Sequence, residues 1–272
     1  LIENNIINNN NCNASNGRGG GVACVSSTAM IKNNTINNNY ATYSGGGIVS
    51  EWSDNSDIIN NIITNNSAGV IGGGGISIYT NGNINNNFIC NNSSIKGGGI
   101  LCATAAPKII NNVICNNNAS QNGAGVYLDN SSPNITNCSI SNNKVTATAG
   151  ATFGGGGLNC SNISNPIMVN TILYGNEALS GNGNQVYLDD NGSDPTFKHC
   201  NIQGGSSAFY TNGSVYSGLY VNNINNNPNY VSPSSGTGDT FDGLTANWEL
   251  QINSPCINVG TPSISGLSLP TT

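Results

Sequence analysis

Along most of the chain, single aliphatic residues alternate with polar ones in blocks that recur. Glycine clusters followed by an aliphatic residue appear at Gly19 to Val22, Gly45 to Ile48, Gly72 to Ile76, Gly97 to Ile100, Gly123 to Val126, Gly154 to Leu158 and Gly183 to Val186, with successive aliphatic positions 24 to 32 residues apart. Each cluster is followed by an apolar-x-Asn-x-x-apolar motif. It reads Ile31, Asn33, Ile36; Ile58, Asn60, Ile63; Ile84, Asn86, Ile89; Ile109, Asn111, Ile114; Ile135, Asn137, Ile140; and Met168, Asn170, Leu173, with Phe197, His199 and Ile202 as a degenerate seventh copy. A period of this length marks a solenoid.

The alternation dictates one coil. Val22 and Cys24, Ile76 and Ile78, or Val126 and Leu128 are two residues apart, so both members of a pair face the same side of a short strand. A second strand carries the Ile109 column inward and a third the Ile114 column. The expectation is an all-β right-handed parallel β-helix with three strands per coil and about seven coils over residues 1–205, closed by a capping segment, 206–272, packed on the last coils. Stacked coils, about 4.8 Å apart, place like residues in columns. Asn33, Asn60, Asn86, Asn111, Asn137 and Asn170 are expected to form a buried ladder at the corner between the second and third strands. His199 falls in that column and reads as a substituted corner residue. The glycines suit the opposite corner, where positive φ or close backbone approach excludes side chains.

Composition supports strands and removes several functions. About one residue in five is Asn, 36 are Gly, and only 7% are charged. A net charge of −6 with a single Arg and five Lys excludes a phosphate-tracking surface, hence nucleic acid. No apolar run reaches the roughly 18–20 residues of a membrane-spanning helix. Residue 1 falls inside a repeat, so a trimmed or processed piece is expected.

The pairing of GGGI or GGGV with INNxIxNN, as in Gly97 to Ile100 with Ile109 to Asn117, resembles the repeats of polymorphic outer membrane proteins and other pectate-lyase-like right-handed β-helices. The likeness covers residues 1 to about 205. The tail, with Asn227, Pro228, Tyr230, Trp248, Leu250 and Ser254 to Asn258, resembles the segment closing many secreted bacterial β-helix proteins. The resemblance implies a secreted or cell-surface location and often no catalytic activity.

Nine cysteines leave at least one unpaired. Cys24, Cys102 and Cys160 share an inward column but lie on coils 1, 4 and 6, roughly 10 Å or more apart, so they read as buried thiols. Cys90 and Cys115 share an outward position on neighbouring coils and are the disulfide candidate.

Chemistry is expected on the outer face of the strand that follows the glycines. One column there runs Ala23, Val49, Ser77, Leu101, Tyr127, Asn159, Tyr187; the next runs Val25, Glu51, Tyr79, Ala103, Asp129, Ser161, Asp189. Asp129 and Asp189, two coils apart, fit the carboxylate spacing of an inverting glycosidase, about 6.5–9.5 Å. Trp52, Tyr79, Tyr127 and Tyr187 are candidates for stacking on sugar faces. That face offers no Lys or Arg near the acids, which argues against β-elimination. Asp189, Asp190 and Asp194 form a weak calcium candidate, and Glu51, Trp52, Asp54 and Asp57 a second aromatic-acidic patch. The insertions around Lys144 to Phe153 and Glu177 to Asn184 are expected as loops walling a groove or meeting a partner.

Three readings follow: a non-catalytic adhesive or structural module that binds an extracellular glycan or cell-surface partner and can self-associate; an inverting polysaccharide hydrolase on Asp129 and Asp189; and an ice-binding protein. The outer column Asn37, Thr64, Cys90, Cys115, Ser141, Tyr174 is irregular for the last of these. No cofactor beyond calcium is implied.

Overall fold

The computed structural model describes residues 1–52, 55–148 and 152–262. Among the described residues the chain winds as an all-β parallel solenoid of about eight turns, and its strands stack into four parallel sheets of seven, nine, eight and seven members. In coil 1 these strands are Val22–Val25, Met30–Lys32, Thr35–Asn37 and Tyr40–Ala41, which define the first to fourth sheets. The fourth sheet was not expected. Its members, such as Ser93–Lys96, Asn118–Asn122, Lys144–Val145 and Glu177–Ala178, lie in stretches that the sequence marks only as loop. They pair because each follows a left-handed corner, Asn or in the last case Gly175, at the same point of its coil, and stacking supplies the ladder partner that local propensity lacks.

Register is kept across the stack. Ile31, Ile58, Ile84, Ile109, Ile135, Met168 and Phe197 align in the second sheet. Ile36, Ile63, Ile89, Ile114, Ile140, Leu173 and Ile202 align in the third. Every one of these side chains is fully buried, and with the first-sheet columns they form one continuous core. Each Ile removed from water contributes about 1.5–3 kcal/mol, and that burial holds the sheets against one another.

The asparagine ladder lies one residue beyond the expected column. Asn33, Asn60, Asn86, Asn111, Asn137 and Asn170 have φ of 51–56°, are exposed or half-buried, and serve as left-handed corners between the second and third strands. His199 occupies the same corner at φ 53°. The residue that follows each corner turns inward: Asn5, Asn34, Asn61, Asn87 and Asn112 form the ladder, and Cys138, Thr171 and Cys200 take over above them. A second, unexpected ladder follows the third sheet through Asn10, Asn39, Asn66, Asn92, Asn117, Asn143 and Asn176. Its corners are Asn9, Asn38, Asn65, Asn91, Asn116 and Asn142, all at φ 53–57°. Each Asn-Asn pair therefore divides two tasks. The first residue adopts the positive φ that Asn tolerates, and the second satisfies the backbone that the bend would orphan.

Asn92 illustrates the second task. Its amide Nδ2 donates to the Ile63 carbonyl one coil back, at 2.9 Å, and to Asn117 Oδ1 one coil ahead, at 3.0 Å. Its Oδ1 accepts from the backbone N and from Nδ2 of Asn66. The glycine corner works by exclusion instead. Gly45 sits at φ 66°, and a Cβ on Gly46 would lie 2.4 Å from the Ser67 carbonyl oxygen.

The tail does more than cap the last coils. Tyr220–Val221 extends the second sheet beyond residue 205, and Ile224 bridges Asn201. The chain then reverses and runs back over the outer face of the third sheet as a strap containing an antiparallel pair, Tyr230–Ser232 with Asn247–Leu250. Tyr230 and Trp248 meet edge to face, 5.3 Å between ring centres, and cover Cys90, Cys115 and Ile172. Corner amides clamp the strap's backbone: Asn91 donates to the carbonyls of Asp239 and Phe241, Asn116 to those of Gly236 and Gly238, and Asn142 to those of Ser234 and Gly236.

The split within each Asn pair gives opposite expectations for its two members. Asn92→Ala strands buried donors and acceptors on both neighbouring coils and is expected to cost about 3–5 kcal/mol, whereas Asn60→Gly keeps the positive-φ corner and is expected to stay within about 0.5 kcal/mol of the parent. Urea denaturation of the two variants compares them; equal losses would contradict the assignment.

Candidate functional site

The first sheet places its two outward columns in the expected register, with Ala103 beside Asp129 and Asp129 beside Ser161. Across coils 1–5 this face is hollowed into a cleft of about 450 Å³. Its walls combine aromatic rings (Tyr43, Trp52, Tyr79, Tyr127), aliphatic side chains (Val70, Ile71, Leu101) and four charges, Arg18, Glu51, Lys96 and Asp129.

Two of those charges were missed by column reading. The outward columns contain no Lys or Arg, but Arg18 and Lys96 reach the cleft from the neighbouring edge. Each immediately precedes the positive-φ glycine of its coil, Gly19 or Gly97, and Arg18, Ser44 and Gly72 bridge in one column there. That position was readable as a column, had the residue before each glycine been aligned as carefully as those after it.

Arg18 organises one end of the cleft. Its guanidinium forms an ion pair with Glu51, which is only 2% exposed, and packs 4.5 Å from the Tyr43 ring centre and 5.5 Å from that of Trp52. Trp52 occupies a left-handed corner at φ 51°, which projects its ring outward with 70% of its surface exposed. A flat indole backed by a guanidinium is a rigid apolar platform beside fixed polar groups. At the other end Lys96 Nζ lies 3.5 Å from Tyr127 Oη and 5.2 Å from its ring centre. Burial raises the Tyr127 phenol above its ordinary range, opposed by the Lys96 charge. Tyr79 is likewise raised, mainly by burial. Both hydroxyls stay protonated at neutral pH and can donate as well as accept.

The two candidate catalytic acids are not brought into this cleft together. Asp129 lines it and accepts a hydrogen bond from Asn162 Nδ2. Asp189 stands outside the lining, separated from Asp129 along the column by Ser161, whose hydroxyl donates to it at 3.1 Å. Tyr187 is fully buried: its ring packs 5.1 Å from Tyr210, and its hydroxyl has the Thr152 carbonyl at 2.8 Å and Asp189 Oδ1 at 3.2 Å as acceptors for its single proton. It cannot serve as an open sugar platform. Of the second acidic patch, Glu51 and Trp52 belong to the cleft, Asp57 lies on the second sheet accepting from Asn83, and Asp54 lies outside the described residues. Part of the Lys144 to Phe153 insertion, residues 149–151, also lies outside them.

The calcium candidates are occupied by turns. Asp190 accepts from the backbone of Gly192 and Ile163 and from the Ser193 hydroxyl; Asp194 accepts from the backbone of Ser217 and Gly218 and the Ser217 hydroxyl. Among the described residues no group of three or more His, Cys, Asp or Glu side chains is gathered for a metal. The carboxylates of a turn-rich segment cap their own loops before they can converge.

Cys90 and Cys115 are neighbours in register, as their column requires, but both are free thiols beneath the strap. Cys90 donates to Thr64 Oγ1 at 3.3 Å, and Cys115 points toward the Gly243 carbonyl. Side chains in a parallel register project side by side, an orientation that disfavours the sulfur torsion of a bridge. The strap also covers Cys90, Cys115 and Ser141, so the column considered for ice binding is no open flat face. Cys24, Cys102 and Cys160 are buried thiols, and burial raises the pKa of each.

Searched against protein-family models, curated proteins and solved structures, the chain matches none.

Burial also pushes Cys138 up to about 11 and Cys200 up to about 12. Alkylation of the native protein at neutral pH is expected to reach only Cys12 and Cys256, the two half-buried thiols, and to reach the buried cysteines after denaturation. Mass mapping of the labelled protein reads this; a Cys90–Cys115 disulfide peptide, or rapid native labelling of Cys102, would contradict it.

Proposed function

We propose that the chain is a non-catalytic adhesive module of a secreted or cell-surface protein, which binds carbohydrate in the cleft over coils 1–5. The observation that carries this reading is the exposed Trp52 platform, set by Arg18 and Glu51 into a cleft that also presents Tyr79, Lys96 and Asp129, with Tyr127, 3% exposed, buried in its floor. Aromatic faces pack on the apolar faces of sugar rings, while fixed charged and phenolic groups bond to hydroxyls. Arg18 and Lys96 balance Glu51 and Asp129, so the cleft as a whole carries no net charge, which favours a hydroxyl-rich ligand over a strongly ionic one. The same reading places the protein with pectate-lyase-like β-helices and the polymorphic outer membrane protein repeats that its motifs resemble.

An inverting hydrolase draws less support. It requires two carboxylates facing one substrate across the width of a water, and Asp189 is not in the cleft that Asp129 lines.

Glycan-array binding of the intact chain, followed by titration of the best ligand, tests the proposal. Trp52→Ala and Tyr79→Ala are each expected to weaken binding about tenfold, the loss of one stacking contact and the area it buries, and prolonged incubation is expected to leave the glycan uncleaved. A blank array with blank cell-attachment assays sinks the reading; cleavage abolished by Asp129→Asn would replace it with the hydrolase.

A further inference from the structure

The strap is held by two rows of the third sheet and the corner after it. One row faces outward and is mostly apolar: Phe88, Val113 and Ile172, with Ser139 between the last two, and its apolar members pack in the cluster that contains Tyr230 and Trp248. The other is the row of left-handed asparagines, Asn91, Asn116 and Asn142, whose amides grip strap carbonyls, while Asn91 Oδ1 accepts from Gly243 N at 3.0 Å. Apart from Asn116 Nδ2, which also donates to Ser234 Oγ at 2.9 Å, these amides take backbone carbonyls two residues apart along a bent segment of the strap. Both rows continue toward the N-terminal coils, the outward one with Thr35 between its two isoleucines. The apolar row runs on through Ile62, Thr35 and Ile6 in register with Phe88. The corner row runs on through Asn65, Asn38 and Asn9 with the same φ of 55–57°. The strap stops at Asn91, and beyond it Ile62 is 39% exposed and Ile6 76% exposed. The amides there turn to one another instead, Asn38 Nδ2 to Asn9 Oδ1 and Asn65 Nδ2 to Asn37 Oδ1 at 3.2 Å, all at the surface.

We propose that this uncovered stretch, Ile6, Ile62 and the Asn9, Asn38, Asn65 corners, is a docking site for a polypeptide segment of a partner protein that presents its backbone carbonyls as the strap does. The partner lies across the coils as the strap does, its carbonyls taken by the corner amides and an apolar or aromatic side chain seated on Ile62. Continuity points to the occupant: the same two rows, one coil further on, already hold the strap by its backbone carbonyls. Backbone-directed capture of this kind resembles strand addition in using main-chain hydrogen bonds for affinity and a few side chains for selectivity. The site is separate from the cleft on the first sheet, so it stands or falls independently of carbohydrate binding.

The strap sequence itself, as a synthetic peptide of residues 229–250, is the probe. Added to the full chain and followed by fluorescence anisotropy, it is expected to bind saturably. Asn38→Gly with Asn65→Gly removes both amides while keeping the positive-φ corners, and Ile62→Glu charges an outward position, so all three substitutions leave the fold intact. The paired Asn→Gly change and Ile62→Glu are each expected to weaken binding about tenfold or more, as losing two surface hydrogen bonds or a seated apolar group requires. Three results overturn the proposal: no saturable binding; binding that survives these changes and is lost with Asn116→Gly, which means exchange with the resident strap; or self-association in sedimentation that Ile62→Glu abolishes, which makes the face a contact between copies.

Discussion

The middle turns of this solenoid depend on one arrangement, a buried asparagine amide that bonds to the coil below and the coil above. A chain that bends sharply four times per coil leaves backbone donors and acceptors facing a dry interior, and orphaning even a few of them would cancel the gain from the isoleucine columns. Asn92 addresses this with one side chain, spanning from the Ile63 carbonyl to Asn117 Oδ1. Because donor and acceptor of each amide lie on different coils, the ladder fixes vertical register as well as satisfying the turn. The hydrophobic columns then pack only with like residues over like residues.

That register makes a functional surface from a repetitive sequence. The cleft is assembled from residues one coil apart: Arg18 and Tyr43 at the edge, Glu51 and Trp52 at the end of one strand, Tyr79, Leu101 and Tyr127 on the next three coils. No two of its charged groups are close in sequence. Their meeting follows from a fixed rise per coil, and a slip of one residue in any coil would turn an outward tyrosine into the core.

Much of the fold was legible because burial and alternation leave a periodic trace. The Ile109 and Ile114 columns, the in-register Cys90 and Cys115, and the outward order from Val25 to Asp189 all follow from the repeat. What escaped the sequence were matters decided between neighbours. In Asn33–Asn34 both residues are asparagine, and the pattern cannot say which one turns inward; that depends on which φ is positive. The fourth sheet is invisible locally, since Tyr40–Ala41 and Ser67–Ala68 are strands only because they stack on one another. Arg18 and Lys96 escape the column pattern because they sit before the glycines, and the column order that puts Asp189 two coils beyond Asp129 does not say that the cleft ends at Asp129. The strap's return path was equally hidden, as nothing in Asn91 or Asn116 announces a partner some 120 to 150 residues later.

The strap alters how the molecule can come apart. A bare stack of coils interacts only with its immediate neighbours and can fray one turn at a time from either end. Ties from Asn91 to Phe241 and from Asn170 to Thr261 join turns three to six through a single segment, so none of these can open without releasing a part that the others also hold. The middle of the rod is thereby made into one cooperative unit, while the first turns, which carry Arg18 and Trp52 at one end of the cleft, keep the looser mechanics of an unbraced spring.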